Sequence, residues 1–324
     1  MQTVQFYQEQ FSAHLAHFYK GEEPENLYLP IKYILNLGGK RLRPVLTLLS
    51  AEICGANVET ALNAALCIEV FHNFSLIHDD IMDAAPLRRG KETVHEKWDV
   101  NTAILSGDAM LILAYKVLEN YPPETFMALT KLLSKTALEV CEGQQYDIDF
   151  ETRDNVAIPE YLKMIEFKTA VLLGAAMQMG AIVANASEQV QKNMFELGRN
   201  IGVAFQLQDD YLDVFGNPET FGKQVGGDII ENKKTYLYLK AMELLSKEDQ
   251  QQLVHLFEIS PSNTQEKIEA VKEIYTTSGA AKATKDSIKK FTQEAFQVIN
   301  TLQIGADKKK QLKQFANQLM NRDV

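Results

Sequence analysis

The sequence predicts an all-α fold, a single-domain bundle of long antiparallel helices. Three observations carry that expectation. Apolar residues recur with helical periodicity through most of the 324 residues. The period-two alternation bounded by hairpin turns that marks strands is missing throughout. No flexible linker divides the helices, so 1–324 reads as one domain, and a hydrophobic content of 46% is ample for its core.

The elements follow in order. The start, MQTVQFYQEQFSAHLAHFYKGEEP, is polar and amphipathic, unlike a charged-then-apolar leader. PVLTLLSAEICG (44–55) opens with Pro at a first helical turn and closes at Gly. ETALNAALCIEVFHNFSLIHDDIMDAA (59–85) is apolar almost all round and predicts a central buried helix. Long patterns continue over 102–121, 125–151, 158–186 and 187–216. Shorter amphipathic segments follow around 233–246, 247–258, 263–277, 279–302 and 306–321, separated by polar turns such as ISPSNT. No run of eighteen apolar residues exists, so no membrane span is expected and the protein reads as cytoplasmic. Cys54, Cys67 and Cys141, an odd number within apolar helical stretches, read as small core residues rather than a disulfide framework. The net charge of −10 argues against a nucleic-acid partner. An anionic ligand would need local cations or metal ions to overcome that field.

Two acidic quintets supply the chemistry. IHDDIMD (77–83) puts Asp79, Asp80 and Asp83 at the C-terminal end of the buried helix. Residues four apart share a helix face, so Asp79 and Asp83 project together while Asp80 sits about a hundred degrees round. Clustered carboxylates repel one another unless a cation lies between them. Oxygen-only ligands suit a hard ion such as Mg²⁺, which keeps waters and takes substrate phosphates as its remaining ligands. Alone, the stretch equally reads as an acidic helix end in water. The pattern recurs as DDYLD, with Asp209, Asp210 and Asp213, after another long apolar helix. Two such helix ends facing each other would make a polynuclear metal site.

Basic residues are segregated from the acid. LGGKRLRP (37–44) places Lys40, Arg41 and Arg43 beside two glycines, which let the backbone approach a ligand and then turn into a Pro-started helix. The Walker spacing is absent, yet Lys and Arg donors can still hold a diphosphate. Arg88 and Arg89 add two forks near the first quintet. His72, on an apolar helix, reads first as a hydrogen-bonded core residue. Lys168, Lys223 and Lys233 stand near helix ends, where a cation also serves the helix dipole.

With these motifs the chain resembles the trans-type isoprenyl diphosphate synthases, the family of farnesyl, geranylgeranyl and longer polyprenyl diphosphate synthases. GGKRLRP, HNFSLIHDDIMD, LRRGKETVH, GDAML, EGQQYD, KTA, FQLQDDYLDVFG, GKQVGGDI and NKKT arrive in the family's order. The resemblance implies helices around a deep central cavity, usually in a homodimer. It implies that Asp79 and Asp83 bind two of three Mg²⁺ ions and Asp209 the third, with Asp80, Asp210 and Asp213 in close support. Lys40, Arg43, His72 and Arg89 would hold the diphosphate of isopentenyl diphosphate. Arg88, Lys168, Lys223 and Lys233 would hold that of an allylic partner (dimethylallyl, geranyl or farnesyl), with Gln206 and Thr169 beside the reacting carbons. Gln144 and Asp147 match a polar pair whose role stays open. Breaking the allylic carbon–oxygen bond leaves a delocalised cation and an anionic diphosphate, so metals and cations stabilise developing charge, and no protein nucleophile is needed.

The same resemblance bears on product length. A tail running down beside the 59–85 helix meets Ser75 and Phe74, four and five before Asp79, then Phe71, eight before, about 6–12 Å below it at ~1.5 Å per residue. One bulky residue beside one small residue, with no insertion in DDIMD, resembles synthases of twenty-carbon geranylgeranyl diphosphate, with farnesyl diphosphate the runner-up. A class I terpene cyclase has no use for GGKRLRP. A non-catalytic synthase subunit typically lacks an aspartate cluster, and both are intact here.

Overall fold

The computed structural model describes residues 2–18, 22–217, 225–261 and 263–320, and nearly all of them are helical. Local chemistry sets the boundaries. Helix α1 (Val4–Ala16) starts where the Thr3 hydroxyl accepts the Phe6 amide. After α2 (Glu25–Asn36), α3 (Leu42–Cys54) enters through the glycines of LGGKRLRP and stops at Gly55, whose φ of 102° only glycine adopts cheaply. Helix α4 (Leu62–Met82) follows a 3₁₀ turn at Val58–Ala61. The short α5 (Val94–Lys97) precedes α6 (Val100–Lys116), which Asp99 caps at the Thr102 amide. Helix α7 (Pro123–Thr152) is the longest; α8 (Ile158–Ile165) runs through a π-helical turn, Glu166–Ala170, into α9 (Val171–Val183). Helix α10 (Glu188–Phe215) carries the second aspartate quintet, and shorter helices continue to Met320.

The chain groups into two compact units, each discontinuous in sequence. The first comprises the chain up to Ala137 with Leu172–Phe195 and Gln303–Lys308. Its core takes Tyr7 and Phe11 from α1, Leu46 and Leu49 from α3, and Ile68 and Phe71 from α4. Helix α9 lies against α3 because Gly180 has no side chain: a Cβ there would sit 2.8 Å from the Ala51 amide nitrogen, and beside it the Ser50 hydroxyl donates to the Met177 carbonyl. The second unit comprises Leu138–Val171, Glu196–Leu302 and the chain from Lys309 on. Tyr161, Ile165, Val203, Leu207, Leu237, Val271 and Tyr275 fill its core.

Three expectations need correction. Strand pairing is present, as a hairpin of Leu87–Arg88 with Lys91–Glu92. Strands of two residues are too short to show alternation. Of the three free cysteines only Cys67 is buried; Cys141 is exposed, because its position on α7 faces outward. Finally, among the described residues three helical stretches are long and apolar enough to cross a membrane, by length and composition only. Val58–Met82 and Ile158–Val183 bury 67% and 72% of their apolar windows within the protein, whereas Val100–Asn120 buries 33%.

Candidate active site

The first quintet closes α4. Asp83 is its C-cap, with its amide 2.9 Å from the Asp79 carbonyl, so both carboxylates leave the last turn together. Asp80 turns inward and is 1% exposed. Arg88 answers it with a fork: Nε lies 2.8 Å from Oδ2 and Nη2 lies 2.6 Å from Oδ1. Burial pulls the Arg88 pKa down, but the hydrogen bond and charge of Asp80, with Asp79 and Asp83, outweigh it and hold the guanidinium above its ordinary value.

The hairpin separates the two adjacent arginines. Arg89 and Gly90 have φ of 55° and 73°, the double positive φ of a tight two-residue turn. Arg88 is therefore left on the strand beside Asp80, whereas Arg89 Nη1 donates to the Gly38 carbonyl in the α2–α3 loop. A Cβ at Gly39 would fall 2.8 Å from Arg89 Cζ, so the double glycine is what admits this guanidinium.

That loop divides its own cations. Lys40 is exposed. Arg41 donates to the buried Glu69 and to the Leu35 carbonyl, and Asn73 braces Glu69 from one turn on. Glu69 was legible in principle, since an acid on a helix apolar all round must be paired. Arg43 is half-buried, its Nε buried without a hydrogen-bond partner and its Nη1 3.1 Å from His72 Nε2. Burial pushes the Arg43 pKa down to about 10, which leaves it charged at neutral pH. Arginine only donates, so His72 Nε2 accepts and the ring is neutral. Burial first, then the surrounding Arg43, Arg89, Arg88 and Arg41, hold the His72 pKa well below its usual value. The unfolded chain takes up this proton near pH 6.5 while the folded protein refuses it, so the stability His72 contributes is present above that pH and is lost as pH falls. Between pH 7.5 and 5.5 acid should therefore cost the wild type more melting temperature than His72→Gln; equal slopes in the two proteins would refute it.

The second quintet, in the other unit, has the same internal logic. Asp210 is 4% exposed, accepting from the Tyr161 hydroxyl at 2.6 Å and the Gln206 amide at 3.2 Å. Burial raises its pKa to about 7. Burial, and then the charge of Asp210, keep Tyr161 a phenol. Asp209 is half-buried, and Asp213 accepts the Asp228 amide at 3.0 Å. Lys168 and Thr169 stand on the π-helical turn, a common device at functional sites. Gly143 lets α7 pass there, since a Cβ would lie 2.7 Å from Lys168 Cα. Lys168 Nζ pairs with Asp147 at 2.5 Å, and the Gln144 amide nitrogen is buried without a hydrogen-bond partner. Lys233 is exposed and pairs with Glu231 at 3.0 Å. Lys223 lies outside the described residues. No sequence signal points to Tyr161, 49 residues from its acceptor.

Of the proposed floor residues, Phe71 and Phe74 are buried on α4 with ring centroids 5.5 Å apart. Ser75 turns its hydroxyl back to the His72 carbonyl at 2.8 Å.

Among known proteins, the profile of the family described as Polyprenyl synthetase matches residues 24–275. The chain belongs to that family. As a polyprenyl synthetase it is 46% identical over 223 residues to the geranylgeranyl diphosphate synthase of Methanosarcina mazei, 68% of each chain. It is 42% identical over 241 residues to the geranylfarnesyl diphosphate synthase of Natronomonas pharaonis, 68% of this chain and 70% of that one. A crystal structure of a geranylgeranyl pyrophosphate synthase superposes with a TM-score of 0.96 at 56% identity, covering all of both chains. The geranylgeranyl pyrophosphate synthase of Corynebacterium glutamicum, solved with isoprenyl diphosphate and magnesium, gives 0.83 at 27% identity, covering 98% of this chain and 97% of that one.

The donor chemistry of this polyprenyl synthetase suits a hard divalent cation. Each quintet buries its middle carboxylate and keeps the outer pair on the more accessible side of its helix. Among the described residues no three His, Cys, Asp or Glu side chains already converge as a metal site.

Proposed function

We propose that the protein joins isopentenyl diphosphate head-to-tail to an allylic diphosphate and releases geranylgeranyl diphosphate. The observation that carries this reading is the divergence of Arg88 and Arg89 across one tight turn. One hairpin thereby presents its two guanidinium groups to different surroundings, which supports separate sites for two diphosphates. Arg88, Lys168, Lys223 and Lys233 hold the allylic diphosphate; Lys40, Arg43, His72 and Arg89 hold the other. Gln206 and Thr169 flank the reacting carbons. Asp79, Asp83 and Asp209 hold Mg²⁺, three ions in all, with Asp80, Asp210 and Asp213 in close support. Bound metal supplies charge neutralisation for the departing diphosphate.

Release of inorganic diphosphate from an allylic diphosphate, measured with and without isopentenyl diphosphate, tests the reading. Strict dependence on the second substrate supports elongation; release without it indicates cyclisation.

Phe74, with Phe71 behind it, is the floor that stops growth at twenty carbons, and the relatives named geranylgeranyl diphosphate synthase support that length. The similarity to a geranylfarnesyl diphosphate synthase favours twenty-five carbons as the second reading. Phe74→Ala should lengthen the products and Ser75→Phe shorten them, read by mass analysis after dephosphorylation. An unchanged distribution in both variants would put the floor on another helix.

The two units interleave in sequence, which supports treating 1–324 as one catalytic domain. Helix α6 leaves Val100, Ile104, Leu105 and Ile112 39–65% exposed, an apolar stripe that a second copy of the chain covers in a homodimer. Leu105→Glu with Ile112→Glu should give a monomer in sedimentation; a dimer of unchanged affinity would rule this stripe out.

A further inference from the structure

The geometry points to His78 as the residue that fixes the orientation of Phe74, and through it the product length, with Gly107 of α6 as the notch that seats it. The inference rests on Phe74 being the floor. His78 stands one turn above Phe74 on α4, its ring 4.8 Å from the Phe74 ring at an interplanar angle of 64°, an edge-to-face contact. Phe74 in turn leans on Phe71, so the three rings form a ladder along one side of α4. The far side of the His78 ring meets α6. A Cβ at Gly107 would stand 2.6 Å from His78 Cδ2, closer than van der Waals contact permits. Nε2 lies 3.3 Å from the Ile104 carbonyl, which can only accept, so the imidazole donates there. Asp108 Oδ1 lies 3.9 Å from the same nitrogen. The ring is thus set against backbone on one side and Phe74 on the other. Its side chain is only 25% exposed, and an aromatic ring so placed has little freedom to pass on to its neighbour.

Growth halts where the tail meets Phe74, so the sharpness of the stop depends on how firmly that ring keeps one rotamer. Removing the wedge should let Phe74 turn aside in a fraction of molecules and pass longer chains. Gly107→Ala should do the same by displacing His78 from its notch.

The experiment compares products of wild type, His78→Ala, Gly107→Ala, Phe74→Ala and the Phe74→Ala/His78→Ala double variant, scored as the ratio of chains longer than twenty carbons to twenty-carbon chains. Turnover is not the readout, since His78 neighbours Asp79. The expected result is a rise in that ratio of about two- to tenfold in His78→Ala and in Gly107→Ala, the population ratio that one edge-to-face contact controls. The apparent KM for isopentenyl diphosphate should be unchanged in both. The double variant should match Phe74→Ala alone, because His78 acts only through that ring. Wild-type lengths in both single variants, with Phe74→Ala lengthening the product, would overturn the role of His78 and leave the floor standing. Additive lengthening in the double variant would overturn it too. No change in Phe74→Ala would remove the floor itself.

Discussion

Asp79→Ala and Asp209→Ala should each lower turnover about a thousandfold or more while the fold is retained, the scale expected when a charge-stabilising group acts mainly in the transition state. Both side chains sit on well-formed helices and neither is fully buried, so their loss removes an acid without opening a core cavity. The comparison that sharpens the expectation is with their neighbours. Asp80→Ala leaves the Arg88 guanidinium facing an apolar side chain, and Asp210→Ala leaves the buried Tyr161 hydroxyl without its acceptor. Those two variants should lose thermal stability as well as turnover, because a buried polar group deprived of its partner is destabilising. Steady-state rates at saturating Mg²⁺, together with melting temperatures, separate the two classes. Near-wild-type turnover in Asp79→Ala or Asp209→Ala would sink the metal assignment.

The second large effect is expected at Arg43. Arg43→Ala should raise the apparent KM for isopentenyl diphosphate by about ten- to a hundredfold, the worth of a charge-assisted hydrogen bond to a diphosphate, and change that for the allylic substrate far less. Arg43 is half-buried against His72, on the side of the first unit where Arg89 reaches Gly38, while Arg88 lies beside Asp80. Equal rises for both substrates would mean that the cations are not partitioned between two anions.

Much of this was legible in the residues, and the boundary is physical. Periodicity places the long helices because the burial of one helix face is dictated locally: the pattern over 44–55 and 59–85 becomes α3 and α4 within a turn at each end. The rotation of Asp80 away from the face shared by Asp79 and Asp83 follows from the helix repeat alone. Its partner does not, because Arg88 reaches it only through a hairpin whose strands are two residues long. The separation of Arg88 from Arg89 likewise depends on two positive φ values, and Arg89 has no sequence mark for that conformation. Tyr161 and Asp210 meet through tertiary packing within the second unit, which no local window contains. Gly107 reads as one of many helical glycines until α4 is seen against it.

The interleaving of the two units bears on how the chain is made. Lys308 Nζ donates at 2.7 Å to the Ile53 carbonyl in the last turn of α3, a partner supplied from 255 residues further along. A ribosome adding about 5–20 residues per second delivers that lysine tens of seconds after α3 has emerged. For roughly the first half of that interval the N-terminal unit also waits for Leu172–Phe195, so its apolar face stays open to nascent-chain chaperones or to its own neighbours on a polysome. Yield in a cell is then governed by the length of that wait, and slowing translation between Ala137 and Leu172 should aggravate aggregation more than the same delay placed after Lys308.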